Sequence, residues 1–274
     1  MSVIFRRWLI KTVRSLRYEL SRSPSQLDLN AEAVTIMPRS AFLVDYSEPG
    51  DGIPQDLFDD WYNNEHIPAR VANPLFSRWV RLEAIDGKEP KLGAAYDVTL
   101  PDDTPVSALT SLWEAQSDRE KKILGESKLF DRRIYEILNE ARIPPPSPSF
   151  DINAAAPIIV IRTLDIKDDA PEDMESQFFE WWLAEDVPFL SSIPGWTRSR
   201  LFVLKESEYS GVDAGKQKKQ AKYLGVHEWS NPDFEKHPQF LALEASPRRA
   251  EIVKNLIFGE RRVLKVSKQW TRED

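Results

Sequence analysis

The chain has 274 residues, a formal net charge of −7, no cysteine and three histidines. That length allows two domains of ordinary size, and the acidic balance argues against nucleic acid as a partner. Without cysteine there is no disulfide, thiolate metal site or cysteine nucleophile, and no apolar run of about 18 residues offers a membrane span.

Residues 1–38 differ from the rest. Arg6, Arg7, Lys11, Arg14, Arg17 and Arg22 are basic, and Glu19 is the only acid before Asp28. Val3, Ile4, Trp8, Leu9, Val13 and Leu16 recur at roughly helical spacing. Such a basic, acid-poor amphipathic segment suits mitochondrial import or contact with a membrane surface, and equally an extension helix packed on the domain. The expected location is cytoplasmic, with mitochondrial the alternative.

A first unit spans 39–143. Ser40 to Tyr46 reads as a strand, and a helix starting near Pro54 follows a turn. The stretch Phe58-Asp-Asp-Trp-Tyr-Asn-Asn-Glu-His-Ile-Pro68 carries that helix to its expected end at Pro68, with His66 on the last turn. Phe76 to Glu83 alternates as a strand, Asp86-Gly87 marks a hairpin turn, and Lys91 to Thr99 returns. Pro105 to Leu124 reads as a second helix and Arg132 to Leu138 as a closing strand.

Ile143-Pro-Pro-Pro-Ser-Pro-Ser149 is a stiff linker, and 144–156 separates the units. The same order then recurs over 157–270. Strands are expected at Ile158–Ile161, Gly195–Val203, Tyr223–Trp229 and Arg261–Val266. The first helix runs from Pro171 to Asp186, and Pro232 to Leu256 is helical in parts. Lys205 to Lys222 reads as a solvated loop. Trp61, Glu65 and Pro68 recur as Trp181, Glu185 and Pro188, a spacing of 120, but His66 becomes Asp186. The fold class is therefore α+β. Two tandem ferredoxin-like (βαββαβ) repeats pack as a pseudo-two-fold barrel with a cavity between the sheets.

Trp-Tyr-x-x-Glu-His-x-Pro after a first strand, an Arg-bearing strand, and then Gly-x-x-Tyr-Asp resemble the EthD-like family, a branch of the dimeric α+β barrel superfamily. The tandem form with a degenerate second copy is similar to fungal members. The resemblance covers roughly Arg39 to Trp270. It implies a small, aromatic or polyketide-like substrate and cofactor-free dehydration, cyclisation, decarboxylation or oxygenation. It also assigns acid–base work to His66.

Among the histidines, His66 is the best titrating candidate, and its ordinary pKa lies near neutrality. Tyr62, one turn back, is its expected hydrogen-bonding companion on the catalytic face. Trp61, Asn63, Arg78, Arg81 and Tyr96 are the expected substrate contacts. Arg78 and Arg81 lie at odd separation and so face opposite sides of their strand. One of them could hold an enolate or carboxylate. An arginine recurs at Arg198, and a simpler role for the pair is ion pairing with Glu65 and Glu185. His227 and His237 are expected to be structural. A haem ligand would have to be one of them, and neither sits in a matching pattern. No metal or cofactor is expected.

The leading reading is a cofactor-free lyase-type enzyme of secondary metabolism. The alternatives are a non-catalytic small-molecule-binding or assembly protein, and a cofactor-independent oxygenase. Either a monomer with an internal barrel or a homodimer fits.

Overall fold

The computed structural model describes residues 39–101, 104–113, 116–138, 142–217 and 219–270. The N-terminal basic extension lies outside the described residues. Eight strands carry the fold: β1 (Arg39–Glu48), β2 (Phe76–Ala84), β3 (Leu92–Leu100), β4 (Leu129–Ile137), β5 (Ile158–Ile166), β6 (Trp196–Ser210), β7 (Tyr223–Trp229) and β8 (Leu256–Trp270). They close into one antiparallel barrel in the order β1-β3-β2-β8-β5-β7-β6-β4. A single chain supplies every strand, so closure needs no second copy. Strand, helix, strand, strand, helix, strand runs twice along the chain.

Alternation decides which side each residue faces. In β1, Phe42, Val44 and Tyr46 point into the barrel, while Ala41 and Leu43 point out under the helices. Three apolar clusters result: one inside the barrel, and one between the sheet and the helices of each half. Each fully buried Phe, Leu or Ile side chain contributes about 1.5–3 kcal/mol. The expected cavity between the sheets is therefore reduced to a small void. Phe42, Phe202, Tyr135 and their neighbours fill the barrel interior.

The first helical element departs from expectation. Helix α1 (Gln55–Trp61) passes into a π-helical turn (Tyr62–His66) and on into α2 (Ile67–Val71). The Ile67 amide donates to the Tyr62 carbonyl, five residues back. Pro68 sits at the start of α2 and does not end the helix. The widened turn relieves the clash that a proline ring makes with the preceding turn of a regular helix. The second half repeats this feature: α4 (Met174–Trp181), a π-helical turn (Trp182–Asp186) and α5 (Val187–Ser191).

Pro105 to Leu124 resolves into a 3₁₀ stretch (Val106–Trp113) and α3 (Asp118–Glu126), capped by Ser117. Pro238 and Pro247 open α6 (Pro238–Glu244) and α7 (Pro247–Val253), where a missing amide costs nothing. The expected loop at 205–222 is partly strand, because β6 runs on to Ser210 and pairs with β4. Among the described residues no helix is long and apolar enough to cross a membrane.

Candidate functional site

The π-helical turn brings Trp61, Tyr62 and His66 together. The wider turn aligns residues five apart as well as four, so the His66 ring lies 4.7 Å from Trp61 and 4.9 Å from Tyr62. Phe130 closes the other side at 5.7 Å. His66 is only 2% exposed. Its Nδ1 lies 2.8 Å from Glu120 Oε1. A carboxylate only accepts, so Nδ1 carries the proton in that contact. Burial, followed by the Arg70 charge, pushes the His66 pKa down to about 3, against the pull of Glu120. His66 is neutral and enclosed at neutral pH.

The other predicted site residues are equally engaged. The Tyr62 hydroxyl donates to Asp45 at 2.5 Å rather than to the imidazole, and the Tyr96 hydroxyl donates to the same carboxylate at 3.2 Å. Asn63 accepts from Arg81, which also pairs with Asp59 at 2.5 Å and lies over the Tyr62 ring. Arg78 and Arg81 do face opposite sides. Arg78 is inside the barrel, pairing with Glu228 at 3.0 Å together with Arg198 at 2.5 Å. The suggested pairing of Arg78 and Arg198 with Glu65 and Glu185 is thus corrected. Glu65 instead meets Arg119, and Glu185 faces Arg248.

Open space occurs at the matching place in the second half. A cavity between the sheet and helices α4 to α7 offers about 90 Å³ to the centre of a water-sized sphere, and about 750 Å³ of atom-free space with its mouth included. Phe178, Trp181, Trp182, Leu190, Trp229, Phe234 and Leu243 form apolar walls, and Arg162, Asp186, His227, Glu244, Arg249 and Arg261 supply polar groups. None of the seven predicted site residues lines it.

Strand register explains why one half is filled and the other hollow. Trp79 and Leu43 flank Tyr96, whereas Ser199 and Val160 flank His227. Ser199 therefore stands where the first half has Trp79. Asp45 pairs with Ala94 and Arg132, whereas Arg162 pairs with Gly225 and Arg261. Gly225 thus replaces Ala94, and a Cβ there would lie 3.3 Å from His227 Nε2. Ser47 pairs with Phe130, and the equivalent Leu164 pairs with Phe258. A β-bulge between Arg162 and Leu164, where Thr163 Oγ1 accepts from the Glu260 amide, displaces Phe258. Phe258 is 40% exposed where Phe130 is 3%. A Trp and a methyl are in effect withdrawn from one site, and the Phe ring moves to its more exposed wall.

The same equivalences invert the charges. Arg162 replaces Asp45, and Asp186 replaces His66. The caps Ser117 and Ser246 accept from the amides of Glu120 and Arg249, so Arg249 replaces Glu120. Asp186 makes no hydrogen bond or ion pair among the described residues. Burial, helped by the Glu244 charge, raises its pKa to about 7 against the pull of Arg249 and Arg162. Arg162 lies 4.9 Å from the centre of the Phe258 ring and feels the Glu244 and Asp186 charges, with no direct ion pair among the described residues. Arg249 Nε and Trp229 Nε1 are buried without a hydrogen-bond partner among the described residues. Ser199 accepts from Trp196 Nε1, so its own proton is free for His227 Nδ1 at 2.8 Å. In the tautomer in which Ser199 donates to Nδ1, His227 Nε2 is a donor. Burial, then the Arg162 and Arg261 charges, push the His227 pKa down to about 3, so it stays neutral.

Sequence reading found Asp186 and set it aside as a lost histidine, and it gave His227 a structural role. The cap equivalence of Ser117 with Ser246 comes from the structure. Arg162 and Ser199 emerge only from strand register. Among the described residues no group of acidic or histidine side chains is arranged to hold a metal.

No protein-family model and no curated protein matches the sequence. Solved structures do match in fold. One is an anthrone oxidase-like protein, with TM-score 0.51 and 9% identity over 86% of this chain and 94% of that one. Another is a candidate chlorite dismutase, TA0507, with TM-score 0.50 and 11% identity over 85% of this chain and 96% of that one. At such identities the likeness is one of fold alone: an α+β chain closed into an antiparallel barrel.

Proposed function

We propose that the protein is a cofactor-free enzyme working in the second-half cavity on an aromatic or polyketide-like small molecule that bears an acidic C–H or a leaving hydroxyl. The observation that carries this reading is the Asp186 carboxyl, unpartnered in an aromatic-walled cavity and titrating near pH 7. A carboxyl poised there can take a proton from carbon beside a carbonyl and return it to a departing hydroxyl. Arg162 would hold the enolate oxygen, and the His227 Nε2–H and Trp229 Nε1–H would orient the substrate. Apolar walls exclude bulk water from the intermediate. Dehydration and ring closure begin with such a proton movement, as does attack of oxygen on a substrate carbanion, whereas decarboxylation ends with one, when the carboxyl protonates the enolate left by departing carbon dioxide.

In this reading the two halves descend from one ferredoxin-like unit, in keeping with the EthD-like motif. His66, Tyr62, Trp61, Asn63, Arg81 and Tyr96 form the closed counterpart of the working site. Arg78 belongs to the barrel interior.

The test compares metabolites of four strains: a deletion, and its rescue by the native chain, by Asp186→Asn or by Arg162→Met. Both variant strains should accumulate the compound seen in the deletion, while the purified variants keep a native circular dichroism spectrum. The mass difference between that compound and its product then gives the reaction: loss of water, loss of carbon dioxide or gain of oxygen. Full rescue by Asp186→Asn would remove the assignment. A deletion that accumulates nothing, with purified protein still quenched in tryptophan fluorescence by an apolar cell extract, would favour the binding-protein reading.

A further inference from the structure

The barrel interior holds an ionic cluster that the proposed reaction does not use. Arg78, Arg198 and Arg200 converge on Asp97 and Glu228. All four carboxylate oxygens are taken. Asp97 Oδ1 accepts from Arg200 and Oδ2 from Arg198, while Glu228 Oε1 accepts from Arg198 and Arg200 and Oε2 from Arg78. Burial opposes ionisation of both acids. The Arg200, Arg198 and Arg78 charges outweigh it at Asp97, and the same three arginines do so at Glu228, so both stay ionised.

Three guanidinium groups against two carboxylates leave one positive charge uncompensated. Arginine does not shed its proton in proteins, so the cluster cannot neutralise itself. Arg78 Nε and Nη2 and Arg200 Nε, all buried, find no hydrogen-bond partner among the described residues, although the Arg200 guanidinium lies over the Phe42 and Phe202 rings. The Arg78 and Arg200 side chains, together with Asp97, Glu228 and apolar neighbours, line a small void that offers about 10 Å³ to the centre of a water-sized sphere, about the room of one water, so a larger particle must push its walls apart slightly. An isolated charge buried without a counter-charge is among the costliest arrangements in a fold.

The geometry points to a structural anion site in the barrel, in which one small monovalent anion of the halide class sits between Arg78 and Arg200. The anion brings the cluster to neutrality and accepts from the three unpaired N–H groups. Its way in passes Arg198 and Asp97, each 12% exposed in the side chain. Phe150, from the proline-rich linker, covers that end, with the Arg198 guanidinium 4.5 Å from its ring centre. This site is separate from the second-half cavity, so its fate does not bear on the proposed enzyme activity.

The experiment is thermal unfolding of the full chain in sodium chloride, sodium bromide or sodium gluconate at matched ionic strength. Chloride and bromide should raise Tm saturably, by roughly 3–5 °C above gluconate at 200 mM. Arg78→Met, which balances the cluster at two against two, should abolish the difference between chloride and gluconate. Identical curves in all three salts would overturn the site and leave the void to a neutral water. A crystal of the native protein grown in bromide supplies the second measurement if Arg78→Met does not fold. An anomalous peak within hydrogen-bonding distance of Arg78 and Arg200 supports the site, and a flat map there removes it.

Discussion

Asp186→Asn is expected to stabilise the protein at pH 8 by up to about 4 kcal/mol while leaving it little changed near pH 3. The Asp186 pKa is raised from 3.8 to about 7, first by burial and then by Glu244. The unfolded chain ionises from about pH 4. The folded chain keeps its proton until about pH 7. Across that window the folded state binds more protons, so stability falls as pH rises. An asparagine carries no such burden. Urea unfolding of both proteins at the two pH values measures the difference, which at pH 8 corresponds to roughly 10 °C in Tm. Coincident curves at pH 8 would show that the carboxyl is not held in its uncharged form. The same change should remove function. A substitution that strengthens the fold and silences the protein is the mark of a group kept for chemistry at a cost in stability.

His66→Ala should act in the opposite sense. The imidazole fills a closed space among Trp61, Tyr62 and Phe130, and its loss leaves a cavity and a buried Glu120 with one partner fewer. A loss of about 3–5 kcal/mol is expected, enough to lower soluble yield severely. His66→Gln isolates the titration. With its pKa at about 3, His66 is deprotonated in the fold over a range where the unfolded chain is charged. Stability supplied this way is present above pH 6.5 and is lost as pH falls toward 3, by up to about 5 kcal/mol. The glutamine variant should therefore lose less stability than the native chain between pH 7 and pH 4. If His66→Ala instead leaves stability intact and abolishes turnover, chemistry belongs to the first half after all.

Sequence alone carried much of the architecture. A strand was expected at each of the eight places, although β6 and β8 run well beyond their expected bounds, and the recurrence of Trp61, Glu65 and Pro68 at Trp181, Glu185 and Pro188 suggested two similar halves. Pro68 misled, because proline's usual effect assumes a regular helix and a π-helical turn changes the geometry before it. The motif also drew attention to the half whose space under the helices is filled. Residue types reveal which groups could do chemistry, but not whether space adjoins them. Space here depends on Ser199 facing where Trp79 faces, on Gly225 in place of Ala94, and on a bulge that turns Phe258 outward. Those are facts of register. The polar groups of the cavity were passed over for the same reason, since Arg162 and His227 stand 65 positions apart in the chain and meet only through adjacent strands.

The closure of all eight strands by one chain has a consequence for how such a protein can change. In a barrel assembled from two identical protomers, every substitution is imposed twice. An acid buried in one site is buried in the other, and its destabilising effect is doubled. A covalently joined barrel escapes that coupling. One half can keep its aromatic filling and its neutral His66 as ballast, while the other accepts a hollow, a displaced ring and an unsatisfied carboxyl. Randomising the lining of the second half should therefore leave a far larger share of variants folded than the same exercise around His66.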